Sequence, residues 1–161
     1  MTPRIEIFPE TVLIGMSLTM SFAENKTVQL WQSFMPRRSE IKNARGVELF
    51  SVDVYNDSNF YQKFSPVKQF EKWAAVAVSI NKRVPDGMKS LLIPKGEYAV
   101  FHYKGKPSEA QPTFQYIFGK WLPESKYQMA DRPFMAIMNE KYLGEHPDSE
   151  EEFWVPIIPK S

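Results

Sequence analysis

The closing run Glu150-Glu151-Glu152-Phe153-Trp154-Val155-Pro156-Ile157-Ile158 holds the residues best suited to chemistry in this sequence. Successive side chains of an extended chain point to opposite faces, so one or two of the three glutamates turn inward. A carboxylate drawn into an apolar setting can take a proton from water, which makes Glu151 and Glu152 candidates for a hydrolytic base. The simpler alternative is a solvated acidic start to a strand. Rings supply a second kind of candidate. Tyr98, Phe101 and Tyr103 share one ring-rich run, and Tyr142 and Trp154 lie further on; such side chains line sites for flat or lipophilic compounds. With 12 Phe, 7 Tyr, 4 Trp and 8 Met in the chain, each of them competes with plain core packing, and composition alone favours the core. His102, a lone histidine among rings, is more often a hydrogen-bonded core residue than a base.

Other chemistries find no support. Without cysteine there is no disulfide, thiolate nucleophile or cysteine metal site, and two histidines, His102 and His146, are too few for a histidine metal cluster. No glycine-rich phosphate loop or Ser-His-Asp order appears, so no cofactor and no metal is expected. Lys and Arg total 20 against 19 for Asp and Glu, leaving no field to draw nucleic acid or a membrane surface. The uncharged run Thr11 to Ala23 is 13 residues long, short of the roughly 20 apolar residues of a membrane span, and its flank of Arg4, Glu6 and Glu10 is not a basic leader. These features point to a soluble cytoplasmic protein without direct nucleic-acid or membrane binding, and leave a small-molecule or a protein partner open.

The elements that must position the candidates follow from periodicity. Gly96 to Gly105 encloses Tyr98 to Tyr103, apolar on both alternating faces as in a central strand. Phe114, Ile117, Phe118, Trp121 and Leu122 then recur at helical spacing, opened by a capping box at Ser108 to Gln111 or by Pro112, and ended by Pro123. Earlier, Ile5 to Ser21 reads as one extended stretch, with Gly15 marking a bulge or a close approach. Asn25 caps a second helix whose stripe is Val28, Leu30, Trp31, Phe34 and Met35, broken by Pro36. Val47 to Tyr55 is a half-polar strand, with Leu49, Ser51, Asp53 and Tyr55 on one face. Asn56 to Asn59 is a turn, followed by a loop carrying Phe60, Tyr61, Phe64 and Phe70. In the strand Trp73 to Ile80 a row of small side chains, Ala75, Ala77 and Ser79, either lets a helix approach or leaves room for a ligand, and close packing is favoured. A short strand from Met88 to Ile93 comes next. Tyr127 to Asp131 is a connection, Phe134 to Met138 a strand, and Phe153 to Ile158 an edge strand or one that leaves the sheet at Pro156, which cannot donate to a ladder.

Strand, helix, strand, strand therefore occurs twice. The expected fold is α+β: a single domain over 1–161 made of two fused β-α-β-β units, about 5–85 and 88–160, related by a pseudo-twofold. One antiparallel sheet would carry both helices on one face, with a ligand cleft where the halves meet.

Tyr98-Ala99-Val100-Phe101 with Gly105, Gly119-Lys120-Trp121-Leu122-Pro123-Glu124-Ser125 with Tyr127, Arg132-Pro133, Glu140-Lys141-Tyr142 and Ser149 to Ile157 together resemble the GyrI-like small-molecule-binding family, the AraC-type effector-binding domains, in their standalone form. The resemblance covers most of the chain. It implies a pseudo-twofold fold with a ligand cleft and a role like that of effector domains in multidrug-sensing regulators. Some standalone relatives hydrolyse cyclopropane-bearing compounds, and one branch inhibits gyrase. Relatives carry a cleft glutamate in the strand after Arg-Pro, where this chain has Ala136 with Met135 and Met138 beside it. The expected ligand is thus a neutral or weakly polar aromatic compound meeting Tyr98, Phe101, Tyr103, Ala136, Met138, Tyr142 and Trp154. Glu151 or Glu152 would stand in for the missing carboxylate.

Overall fold

In the computed structural model, which describes residues 1–55, 65–79 and 83–161, the strands are β1 (Arg4–Phe8), β2 (Thr11–Met20), β3 (Leu49–Val54), β4 (Phe70–Val78), β5 (Lys89–Ile93), β6 (Gly96–Lys104), β7 (Tyr127–Met129), β8 (Phe134–Met138) and β9 (Glu150–Pro159). Helix α1 (Thr27–Phe34) follows β2. Helix α2 (Gln111–Tyr116) follows β6 and continues through a π-helical turn, Ile117–Trp121, to a last turn at Leu122–Glu124. The strands pair antiparallel in the order β1-β6-β9-β8-β3-β4-β2-β5, and β7 adds to β9. The fold is α+β, a large antiparallel sheet with two helices on one face. No helix among the described residues is long and apolar enough to cross a membrane.

Each helix seals its own part of the sheet. Leu30 and Phe34 of α1 are buried on Ile14, Ala74, Val76 and Val78 of β2 and β4. Ile117, with Phe114, Phe118 and Trp121, covers Ala99, Phe101, Phe153 and Val155 of β6 and β9. Among the described residues the opposite face has no helix and is nevertheless dry: Phe8, Leu13, Phe50, Val52, Trp73, Tyr98, Val100, Met135 and Trp154 form one cluster. The rings of Phe8 on β1 and Phe50 on β3 lie 6.5 Å apart. Four strand spacings separate those strands in the order, roughly 19 Å on a flat sheet. The sheet is therefore strongly curved, and its concave side is filled by its own side chains.

Strands β1 and β5 cross over to partners that are not their neighbours in sequence. The first leads into β2 but pairs with β6, and β5 leads into β6 but pairs with β2. The extended stretch expected from Ile5 to Ser21 is accordingly two strands. The break falls at Pro9-Glu10, where proline has no N–H to give a ladder.

Up to Pro156 strand β9 is interior, between β6 and β8, so it is not an edge; beyond Pro156 it leaves both partners and pairs with β7, as the alternative expectation had it. Pro156 is tolerated because it falls in the gap between the short partners β8 and β7, where its carbonyl accepts the Ala130 N–H at 3.0 Å and no donor is missed. The connection expected at Tyr127 to Asp131 is strand at its first three residues for the same reason: β9 runs past β8 and needs a partner.

Local chemistry sets the remaining boundaries. Asn25 is not the helix cap expected: Lys26 holds that position without a side-chain cap, and Asn25 Oδ1 accepts the Thr27 N–H at 2.9 Å from one residue earlier. Pro36 converts the end of α1 into a 3-10 segment, Met35–Glu40, so Met35 leaves the stripe, and Val28 is exposed at the helix start. At α2 the Ser108 hydroxyl and amide both donate to Glu145, at 2.7 and 2.8 Å, so the capping box is not made and Pro112 occupies the first turn. Ala75 and Ala77 of the expected small row do not meet a helix but face the concave cluster, while Ala74, Val76 and Val78 meet α1. The turn at Asn56 to Asn59, the rings Phe60, Tyr61 and Phe64, and Ile80 lie outside the described residues.

Gly15 is a close approach. It pairs with Ala75, and a Cβ there would overlap the Ala74 carbonyl oxygen and come within 2.6 Å of Ala75 Cα, backbone atoms that cannot turn aside. Gly15→Ala is expected to lower stability by about 2 kcal/mol or more, read as a lower urea midpoint with an unchanged slope.

Candidate functional site

Between the two helix-packed clusters lies the pair β3 and β8, in the register Leu49 to Met138, Ser51 to Ala136 and Asp53 to Phe134. Alternation sends these six side chains to the helix side of the sheet. Leu49 joins the α1 cluster, and Phe134 and Ala136 join the α2 cluster. At the centre of the strip stand its two smallest side chains, Ser51 and Ala136.

Charged groups border this strip. Lys72 sits opposite Asp53 in the β3–β4 register. Its ammonium lies 3.5 Å from Asp53 Oδ1, and the two side chains are 18% and 9% exposed. Asp53 Oδ2 accepts the Tyr55 hydroxyl at 2.9 Å, whereas Oδ1 has no hydrogen-bond partner. On the other border Glu151, two residues along β9 from the Phe153 that pairs Ala136, is buried on the same face. Burial pushes its carboxyl up to about 7, and the positive charge of Lys72 opposes that rise. Tyr142 joins Glu151 because its loop is pinned to the start of β9: Lys141 O accepts the Glu150 N–H at 3.0 Å, and the buried Ser149 hydroxyl accepts the Leu143 N–H at 2.9 Å. Its phenol is raised by burial first, and then by Glu151 and Glu145.

The predicted site residues separate onto two faces. Ala136, Met138, Tyr142 and Glu151 are on or beside the strip. Phe101 and Tyr103 share the helix side but are packed away, Phe101 edge-on to Trp121 at 5.1 Å and Tyr103 stacked on Phe153 at 5.4 Å, with its hydroxyl donated to Lys106 O at 2.6 Å. Tyr98 and Trp154 belong to the concave cluster, in ring contact at 5.8 Å with Phe8 against both. Glu152 also faces the concave side, taking Arg4 at 2.7 Å and the Trp154 indole N–H at 3.2 Å. The same arrangement recurs on β4, where Trp73 donates to Glu71 at 2.7 Å and Lys89 lies 5.3 Å from the indole centre. His102 is exposed and pairs with Glu150 at 2.7 Å, so it is neither a core residue nor near the strip.

No ligand-sized cleft is formed between the halves among the described residues. A cavity of about 120 Å³ adjoins the end of β3, lined by Val54, Tyr55 and the segment Met129 to Pro133, which is below the roughly 300 Å³ of a small-molecule site. Arg132 closes its inner wall. The guanidinium stacks 5.3 Å from the Tyr98 ring centre, donates to Glu97 O, and fills the space left by the missing side chain of Gly96.

Asp53 and Lys72 are the site residues that periodicity did not mark. The signal for Asp53 was present, since a strand with Ser and Asp on one face becomes unusual once that strand is central. Lys72 lay just before the strand expected from Trp73, and only the cross-strand register places it in the sheet.

The transcriptional regulator BrlR of Pseudomonas aeruginosa is 27% identical over 159 residues, which cover 98% of this chain and 56% of that protein. This chain thus spans little more than half the length of that relative. Among solved structures, SAV2435 bound to tetraphenylphosphonium is similar with a TM-score of 0.74 at 13% identity, covering 98% of this chain and 94% of that one. The EcmrR C-terminal domain is similar with a TM-score of 0.69 at 12% identity, covering 99% and 98%. At these identities the structures speak for the fold alone. The GyrI-like small molecule binding domain matches residues 1–158, and the chain belongs to that family.

Proposed function

We propose that this chain binds a small aromatic or lipophilic compound on the helix side of the sheet, over β3 and β8. The two β-α-β-β runs act as the pseudo-twofold halves of one binding domain, in the manner of the effector domains of multidrug-sensing regulators. One observation carries the proposal: three ionisable side chains largely out of water, Asp53 and Lys72 paired on one border and Glu151 on the other, flank the strip where the two helix-packed cores meet. Stability alone rarely favours such burial, and convergent polar groups on an apolar floor are what orient a ligand. The likeness to SAV2435, solved with tetraphenylphosphonium, and to the regulator BrlR supports this reading. Binding parts the side chains over the strip, and Ala136, Met138 and Tyr142 line the space so made.

A thermal-shift series with matched planar aromatics, with ligand mass checked afterwards, tests it. A compound at 100 times its dissociation constant adds about 2.7 kcal/mol, which raises the midpoint of a chain this size by roughly 5–10 °C. A series without any shift would overturn the proposal.

Glu151 favours a second reading, hydrolysis. A carboxyl near 7 is ionised in part at neutral pH, can take the proton of an attacking water and return it to a leaving group. A product heavier by one water, absent in Glu151→Gln while binding persists, separates this reading from binding alone.

A further inference from the structure

Resting on the binding reading above, we propose that Lys72 sets the charge class of the ligand: its ammonium occupies the position a ligand's cationic group would take, so the strip accepts neutral or anionic aromatic compounds and rejects permanent cations. The placement is specific. Lys72 projects from β4 onto the helix side, held by Asp53 at 3.5 Å on the neighbouring strand, and its charge is felt by Glu151 on the far border of the strip. The ammonium thus sits against one of the two carboxylates that would otherwise attract a cation and acts through its charge on the other.

Its hydrogen bonds are unspent. An ammonium has three donors, and among the described residues that of Lys72 is held only by the ion pair, at a distance longer than a charge-assisted hydrogen bond of roughly 2.7–2.9 Å. Asp53 Oδ1 likewise accepts no hydrogen bond. A ligand carbonyl, phenolate or carboxylate over Ser51 and Ala136 would take those donors, and a quaternary or phosphonium centre would meet a like charge that cannot leave. Ala136 adds to the discrimination by offering no counter-charge from β8.

Isothermal titration with two ions of one shape and opposite charge tests the inference. Tetraphenylborate is expected to bind the intact chain at least ten-fold more tightly than tetraphenylphosphonium, with neutral triphenylphosphine oxide between them. Lys72→Met is expected to bring the two ions to parity or to reverse their order. Should Lys72→Met unfold, the double variant Asp53→Asn, Lys72→Met leaves neither group unpaired and must still lose the preference for borate. Equal or tighter phosphonium binding by the intact chain, or a ratio that ignores Lys72, would overturn the assignment and leave the binding site standing. Failure of all three probes with every variant would overturn the binding site and this inference together.

Discussion

Glu151→Gln is expected to stabilise the chain at pH 8 by about 3 kcal/mol and to flatten its stability between pH 5 and pH 8. Burial raises the folded-state carboxyl from 4.5 to about 7. Between those values the folded chain keeps a proton that the unfolded chain has released, so stability falls as pH rises. The contribution is complete below about 4.5, declines through 7 and is gone above it, a span worth about 3 kcal/mol at 1.36 kcal/mol per unit. Glutamine has the shape of the protonated acid and carries no charge to desolvate, so the variant keeps the packing and loses the dependence. Urea denaturation at pH 5 and pH 8 reads this directly, and the pH 8 gain corresponds to a midpoint rise of roughly 6–12 °C. Parallel curves for the two proteins would mean that Glu151 is not out of water in solution. A residue kept at such a cost has a reason other than stability, and contact with ligand or water is the reason offered above.

Tyr98→Ala is expected to cost about 4 kcal/mol, at the upper end for buried rings, and Tyr98→Phe about 1 kcal/mol. The ring is fully buried and touches Phe8 and Trp154 edge-on at 5.9 and 5.8 Å. Its hydroxyl donates to Pro133 O at 2.9 Å, and Arg132 stacks on its face. Truncation opens a hole in the concave cluster, which is drawn from strands fixed by their ladders and has no helix free to settle inward. Denaturation midpoints of the two variants separate ring from hydroxyl. Nearly equal losses would show that the hydrogen bond to Pro133 outweighs the packing.

Much of this fold can be read from alternation and helical spacing, which depend on neighbours in sequence. The strands around Tyr98 and Phe134, the stripe ending in Leu122, and the interruption at Pro36 all belong to that class. Pairing partners do not, because periodicity records which face a residue takes and not which strand lies beside it. Pro156 suggested an edge or a departure from the sheet; the edge rule holds for a strand with one continuous neighbour per side, whereas β9 meets two short ones in succession and parts from β6 at that proline. The site divided in the same way. Glu151 and Tyr142 were visible as types in context, whereas Asp53 and Lys72 gain meaning only from facing each other across β3 and β4. Both faces of β6 are apolar, so sequence had no means of parting Tyr98, on the concave side, from Phe101 on the other.

The crossing of β1 and β5 interlocks the chain. Strand β1 completes the ladder of β6 and β5 that of β2, so neither β1 to β4 nor β5 to β9 can complete its hydrogen-bond ladder alone. Chain cleavage between Arg83 and Gly87 would yield two pieces that each lack an edge and each carry the missing one for the partner. Such pieces are suited to reassemble by complementation, and the intact chain to unfold as one cooperative unit.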